Sequence, residues 1–440
     1  MAQGRKGGEG MSVAVMVMIA LLLVFLFMKV PVFIAVFGAS AAYFIMTPKT
    51  NFMVFAQQAI TGTEGISLLA IPFFVAAGAL MNYTGVTRRI MDFCKVITGR
   101  MHGGLAQVNV LLSTLMGGLS GSALADAAME AKMLVPEMER GGFSKSFSAV
   151  VTAASSMITP LIPPGICLIL YGCIANISIG KLFVAGVGPG VLLCASMMIL
   201  VSRISRQRGY GSIRREKMTG KMFFGSLKPA FLPLMLPVII IGGIRIGIFT
   251  ATEAGSVAIM YALLLGILYR ELSWKDFLRS VQETLITTSS ILLIVAAAST
   301  FSWVLTKEQL PQRLTAWMVQ HIHNKWVFLV AVDLFLIVVG MFIEGNASMI
   351  ILVPLFAPVA AAYGIDPIHF AVMFIFANMI GAFTPPMGTL MFVVCSVTEC
   401  RTREFIREAV PFYILCAADL LFLTFVPFYS TFLVNLIFGA

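Results

Sequence analysis

Apolar runs succeed one another along nearly the whole chain, separated by polar segments too short to build a water-soluble domain. They fall at about 12–28, 31–46, 66–82, 146–158, 166–179, 182–202, 229–249, 254–269, 284–305, 326–343, 367–381 and 409–427. A spanning helix needs about 20 mostly apolar residues, because it rises ~1.5 Å per residue across ~30 Å of hydrocarbon. Inside lipid every backbone polar group must be satisfied within its own segment, so repeated runs of this kind dictate helices. The pattern predicts an all-α polytopic membrane protein of about 11–12 transmembrane helices. Charge agrees: 11% of the 440 residues are ionisable, where soluble domains carry about 25%.

The net charge of +10 does not point to nucleic acid. The basic residues sit in short segments between apolar runs, as cytoplasmic Lys and Arg do in membrane proteins. The polar stretch from Arg203 to Lys228, including Arg214, Arg215 and Lys217 against the single acid Glu216, reads as a cytoplasmic loop. Arg270–Arg279 and Arg401–Arg407 mix both signs and read as amphipathic helices lying in the interface. Residues 1–10 are Gly-rich, carry Arg5 and Lys6, and read as a disordered cytoplasmic end. The run after Met11 is too long for a signal peptide and leads into a second run past Pro31, so it reads as an uncleaved first span. The uncharged end, 426–440, suits the periplasmic side, which requires an odd number of crossings.

Two apolar segments, 104–140 and 344–363, are broken by small polar residues and read as helical hairpins that enter the membrane and turn back. The halves also repeat. Phe74-Val-Ala-Ala-Gly78 aligns with Ile294-Val-Ala-Ala-Ala298, Leu134-Val-Pro136 with Leu352-Val-Pro354, and Pro163-Pro164 with Pro385-Pro386, at offsets of 220, 218 and 222. Matches in order at nearly one offset argue for internal duplication. In transporters such repeats are often inverted and enclose the substrate site near the midplane. The organisation expected is a first repeat half over 11–215 with hairpin 104–140, a basic cytoplasmic loop and linking spans over 216–282, and a second repeat core over 283–440 with hairpin 344–363.

Each half holds the same two features. One is a hairpin tip: Ser120-Gly121-Ser122 followed by Asp126, and Glu344-Gly345-Asn346. The other is a broken span: Thr159-Pro160 through Pro163-Pro164, and Gly381 through Thr384-Pro385-Pro386-Met387-Gly388. Paired prolines remove N–H donors and stop a helix, freeing carbonyls of the preceding turn. Unwound carbonyls and half-helix ends suit a sodium ion, with Ser120, Gly121, Ser122, Thr159, Pro160, Gly345, Asn346, Gly381 and Thr384 as candidate ligands. Opposing half-helix N-termini favour an anionic substrate, with Ser122, Asn346, Thr384 and Gly388 as its candidate contacts. The plainer alternative is that the prolines only kink helices and the small residues only permit close packing. Asp126 and Glu344 are acids in apolar surroundings and default to functional roles, although Glu344 also fits a helix cap. Thr250 and Glu253 read as capping residues. Asp333 and Asp419 offer no evident partner. The four histidines, His102, His321, His323 and His369, read as interfacial. Cys167, Cys173, Cys194 and Cys416 read as small core residues, and Cys395 with Cys400 makes no zinc motif.

Taken together, several stretches resemble the large membrane subunit of TRAP (tripartite ATP-independent periplasmic) transporters. They are Ala251-Thr-Glu-Ala-Gly255, Tyr261 through Leu272, Glu344 through Pro354, Tyr363-Gly-Ile-Asp-Pro367, Thr384-Pro-Pro-Met-Gly388, Gly117 through Ser122 and Pro163-Pro-Gly165. The resemblance runs from about Met11 onward. It implies an elevator-type transporter importing a small organic anion (dicarboxylate, keto acid or sialic acid class) with sodium ions as the coupling ion. It also implies a small membrane subunit and a periplasmic solute-binding protein as partners, in the bacterial inner membrane. The small subunit is fused at the N-terminus in some relatives; with no room for it before Met11, a separate one is expected. A stand-alone sodium-coupled carrier or antiporter is the nearest rival. A rhomboid-like intramembrane serine protease, suggested by Gly118-Leu-Ser120-Gly121, would need a histidine base near Ser120, and none lies mid-span.

Overall fold

A computed structural model describes residues 12–28, 30–213 and 218–439. The expectations for residues 1–10, and for Arg214, Arg215, Glu216 and Lys217, lie outside the described residues. The described residues form helices joined by short turns. In the first half these are α1 (Val13–Phe27), α2 (Val32–Met46), α3 (Met53–Thr61), a 3₁₀ turn Ile66–Leu69 leading into α4 (Ala70–Asn82), α5 (Val86–Thr98), α6 (Gly104–Ser120), α7 (Ala123–Arg140), α8 (Lys145–Ser155), α9 (Ile166–Ala175) and α10 (Ile179–Arg208). The second half holds α11 (Gly220–Arg245), α12 (Ala251–Tyr269), α13 (Trp274–Lys307), α14 (Leu310–His321), α15 (Lys325–Gly340), α16 (Gly345–Ala362), α17 (Pro367–Phe383), α18 (Thr389–Thr398), α19 (Thr402–Phe425) and α20 (Pro427–Phe438).

The starts of these helices are written locally. Ser12, Ser122, Ser144, Ser178, Thr219 and Ser273 each accept a backbone N–H from the first turn of the helix they precede. Thr250 and Glu253 form a reciprocal capping box at α12, as expected. Such caps satisfy N–H groups that would otherwise be stranded at membrane depth. Proline carbonyls are handled in the same way. Pro233 inside α11 leaves the Pro229 carbonyl without its helical donor, and the Tyr269 hydroxyl of α12 donates to it at 3.1 Å.

Six described helices are long and apolar enough to cross a membrane singly, and a bent pair, Met53–Thr61 with Ile66–Asn82, reaches that length across a 56° bend. Shorter apolar helices, α1, α2, α6, α9, α17, α18 and α20 among them, fall below that length among the described residues, so the 11–12 spans expected are not each a single long helix. Met260, Leu264 and Ile267 stand exposed on α12, the face such a helix turns to lipid.

Three sequence expectations need correction. The second hairpin is not contained in 344–363: that segment is the single helix α16, and α15 is the other arm, with the turn at 341–344. Its first arm is as apolar as a true span, so hydropathy cannot separate the two. Arg270–Arg279 and Arg401–Arg407 are not separate interfacial helices: Arg270 ends α12 in the left-handed region and Ser273 caps α13, so residues 274–279 are the first turns of α13 and 402–407 those of α19, each running on unbroken into the apolar span. His369 is not interfacial. It is buried in α17 with Nδ1 2.8 Å from Ser430 Oγ. The two acids without evident partners have them: Thr424 donates to Asp333 at 2.7 Å and Ser196 to Asp419 at 2.5 Å.

The packing of the two halves is reciprocal. Hairpin arm α7 of the first half lies against α18 of the second, and arm α16 of the second lies against α9 of the first. Likewise α8 packs on α19, and α17 on α10. Both Pro-Pro bonds, Pro163–Pro164 and Pro385–Pro386, are cis. Each half therefore completes the other around one centre.

Candidate substrate and ion site

The hairpin tip Gly121–Ser122 is shaped by two constraints. Gly121 ends α6 in the left-handed region, φ 61°, where a side chain is strained. A Cβ on it would also stand 2.5 Å from the Pro164 carbonyl oxygen. Backbone thus meets backbone, and the Gly121 carbonyl accepts from Ile166 N–H at 3.1 Å. The break opposite is equally tight: a Cβ on Gly165 would meet the Pro160 carbonyl oxygen at 2.1 Å. Four helices begin at this place. Ser122 caps α7, Gly165 precedes α9, Glu344 caps α16 and Gly388 precedes α18. Between them lies a cavity of about 400 Å³, walled on the fifth side by α13 through Thr287 and Ser290.

Of the residues singled out from the sequence, Gly121, Ser122, Pro160, Glu344, Gly345 and Asn346 line this cavity. Asn346 is held by Glu344. Its backbone N–H donates to Oε2 at 3.1 Å and its Nδ2 to Oε1 at 2.8 Å, while Ala347 N–H donates to Oε2 at 3.2 Å. The alternatives left open for Glu344 thus coexist, since it caps α16 and stands at the cavity wall. Cys167, expected to be mere packing, lines the cavity and approaches Asn346 Oδ1 at 3.5 Å.

Thr384 and Gly388, expected to touch the anion, are not on the wall. The Thr384 hydroxyl turns back to its own helix, donating to the Ile380 carbonyl at 2.6 Å, and Gly388 N–H closes on the Thr384 carbonyl at 3.2 Å. Their neighbours Thr389 and Leu390 line the cavity instead. Gly381 packs on Gly340 of the hairpin, too close for a side chain.

Behind the first tip is a group of buried oxygens. Thr159 Oγ1 donates to Asp126 Oδ2 at 2.7 Å, and both residues are buried. Ser120 Oγ and Asp126 Oδ1 have no partner. One turn along α7, buried Glu130 accepts from Ser113 at 2.6 Å. In the second half the buried Asn378 donates to the Gly345 carbonyl at 2.9 Å, and its Oδ1 and Ser348 Oγ are unpartnered. Each half so places orphaned hard oxygens beside its hairpin tip, a donor set suited to a small hard cation. Sequence reasoning missed Glu130 and Asn378. The available signal was an acid four residues after Asp126, and a lone amide inside an otherwise apolar helix.

Two hairpin tips and two broken helices gathered on one cavity, with the two halves packed reciprocally, are the architecture of a transporter of the repeat type. The comparisons specify it further. The family described as "Tripartite ATP-independent periplasmic transporter, DctM component" matches residues 19–429, and the chain belongs to that family. It is 42% identical over 393 residues, 88% of this chain and 92% of the relative, to the sialic acid TRAP transporter large permease protein SiaM of Vibrio cholerae. It is 34% identical to the 2,3-diketo-L-gulonate large permease protein YiaN of Escherichia coli, covering 90% and 93%. Against the C4-dicarboxylate large permease protein DctM of Pseudomonas aeruginosa it is 36% identical, covering 85% and 87%. The fold is similar to the solved YdaH transporter of Alcanivorax borkumensis, with TM-score 0.62, 13% identity and coverage of 85% and 87%. The protein is a TRAP large permease, a multi-pass membrane protein of a bacterial transport system.

Proposed function

We propose that this permease imports a small organic anion, of the dicarboxylate, keto acid or sialic acid class, by sodium-coupled secondary transport in the bacterial inner membrane. The partners in this reading are a small membrane subunit and a periplasmic solute-binding protein. The observation that carries it is the convergence of four helix N-termini on one cavity. Each N-terminus carries roughly half a positive charge and unpaired N–H groups, which favour an anion. Glu344 offsets that charge at α16, leaving α7, α9 and α18 to face the substrate. The orphaned oxygens of Ser120, Asp126 and Asn378 support cation sites immediately behind the same tips, with Thr159 beside the first. A cation there would hold each tip in its anion-binding shape, so that neither solute binds well alone. In the elevator reading, hairpins and broken helices move together against α1, α2, α4 and α11–α13, with the N-terminus cytoplasmic and the C-terminus periplasmic.

The test is reconstitution of this chain with its small subunit in vesicles. Uptake of labelled organic anions is measured with and without an inward sodium gradient and with and without the binding protein. Uptake that needs both is expected. Uptake indifferent to sodium overturns the coupling, and uptake without the binding protein favours a stand-alone carrier.

A further inference from the structure

Helix α18 ends in a turn that brings two cysteines together. Glu399 follows it in the left-handed region, φ 53°, and the Cys400 N–H closes back on the Cys395 carbonyl at 3.1 Å. This is the Schellman closure, in which the side chains at its two ends commonly touch. Here both ends are cysteine. A backbone bond of that length leaves their Cα atoms roughly 5–6.5 Å apart, inside the range a disulfide spans. The Cys395 thiol donates to the Cys400 sulfur, and that bond holds the Cys400 thiol, outside the spanning segments, below its usual range. Lys145 of α8 adds positive charge there, and Glu139 and Glu404 oppose it.

The pair lies at a basic end of the molecule. Arg140 and Lys145 flank the turn between α7 and α8, and Arg401 and Arg403 open α19. Arg208, at the end of α10, bridges to Glu408 of α19 at 2.5 Å. Such an excess marks a cytoplasmic face, where a dithiol rests reduced and a disulfide forms transiently, as in redox sensing. Cys395 and Cys400 are 6% and 7% exposed, which shields them from bulky reagents. Glu399 and Arg401, on either side of Cys400, are exposed, so a molecule the size of peroxide needs only a small opening there. The place matters for the carrier. Helix α18 begins at the cavity with Thr389 and Leu390 and packs on hairpin arm α7 and on α8. It hangs between the break at 384–388 and the turn at 399–401. Since α19 runs on unbroken, any tilt of α18 that reshapes the cavity must be absorbed at that turn.

We propose that Cys395 and Cys400 are a peroxide-responsive redox site, which closes to a disulfide and, closed, holds α18 still and slows the carrier. Its effect on rate rests on the transport reading above; its chemistry does not. The Cys400 thiolate attacks one oxygen of hydrogen peroxide, the O–O bond breaks, and the departing hydroxide takes up the thiol's proton as water, leaving a sulfenic acid. The Cys395 sulfur then attacks the Cys400 sulfur. The S–S bond forms, the S–O bond breaks, and the hydroxyl leaves with the Cys395 proton as a second water. Two thiols give up two electrons, and one peroxide accepts them. Exchange with a dithiol reductant reverses the step.

The test uses the chain reconstituted with its small subunit, with labelled N-acetylneuraminate and succinate offered in parallel, each with a periplasmic protein that binds it. Peroxide is expected to join Cys395 to Cys400, seen by mass spectrometry as a peptide two hydrogens lighter. The maximal uptake rate is expected to fall about threefold or more, with half-saturation within about twofold. A dithiol reductant is expected to reverse both changes. Cys400→Ser, which removes the attacking sulfur, is expected to keep the reduced rate and lose the response. Cys395→Ser is expected to stop at the sulfenic acid, which a cyclic dione traps. Absence of the bond after peroxide overturns the site, as does a rate that stays unchanged once the bond is mapped, or a slowing that survives in Cys400→Ser. If the reduced wild type takes up neither anion, the transport reading fails instead, and the redox chemistry stands or falls on the mapped linkage.

Discussion

Asn346 reaches both halves of the molecule, because its amide is braced by Glu344 on its own helix while its oxygen faces Cys167 of the opposite half. Truncation removes a charge-assisted contact and a polar group from the cavity wall. Asn346→Ala is expected to lower sodium-dependent uptake on the order of tenfold, and Ser122→Ala to lower it as well, with membrane insertion unchanged by quantitative blotting. Sodium dependence identical to wild type in both would remove the tips from the site. Glu344 makes a separable contribution, since it satisfies the first N–H groups of α16. Glu344→Ala should cost about 1–2 kcal/mol, read as a lower unfolding temperature in detergent, whereas Glu344→Gln retains an acceptor and most of that stability. At this scale the sequence was informative where chemistry is unusual for its surroundings. Asp126, Asn346 and Ser122 stand out in apolar text. Thr384 misled, because a hydroxyl beside Pro-Pro can satisfy itself on its own helix, and no sequence pattern distinguishes that from one aimed at a ligand.

Among the elements, the hairpin tip is the part with least freedom. Gly121 combines a left-handed backbone with a carbonyl of the opposing break where a Cβ would go. Alanine there costs about 1–2 kcal/mol in backbone strain alone, and the Pro164 carbonyl is backbone and cannot swing aside. Gly121→Ala is expected to abolish measurable uptake while the protein still inserts. Full activity would mean that the tip does not need its contact with the break. The first hairpin was legible because Ser-Gly-Ser punctuates it. In the second, the arm α15 carries Val, Leu and Phe like any span, and its turn at 341–344 contains a Phe and an Ile, so the segment that turns back looked like one that crosses. The start of α12 was legible in Thr250 and Glu253, whereas α10, α11 and α13 begin earlier than their apolar runs, at the caps Ser178, Thr219 and Ser273. Fusions such as the charged first turns of α13 were not legible, since polarity without a breaker does not end a helix.

At the level of the whole molecule, the duplication was visible as an offset of about 220 residues, but the exchange of partners between halves was not, because it depends on long-range packing. That exchange sets hairpin arm α7 against α18 and arm α16 against α9 while the arms also pack on their own half, and one contact with the remaining helices offers a direct test of motion. Gly118, in the last turn of α6, faces Pro237 of α11, and a Cβ on Gly118 would lie 3.6 Å from the Cβ of Pro237. Two cysteines with β-carbons about 3.5–4.5 Å apart can close a disulfide without distortion. If the hairpin travels past α11 during each cycle, oxidising the pair Gly118→Cys with Pro237→Cys freezes the carrier in this arrangement. Uptake should then fall to background and return on reduction, while Pro237→Cys alone under the same oxidant keeps its activity; Gly118→Cys alone is no control, because its Cβ would meet Pro237 Cγ at 2.5 Å. If oxidised vesicles transport as well as reduced ones, with the cross-link confirmed by mass spectrometry, α6 and α11 do not separate, and the cavity must open by movement of the tips alone.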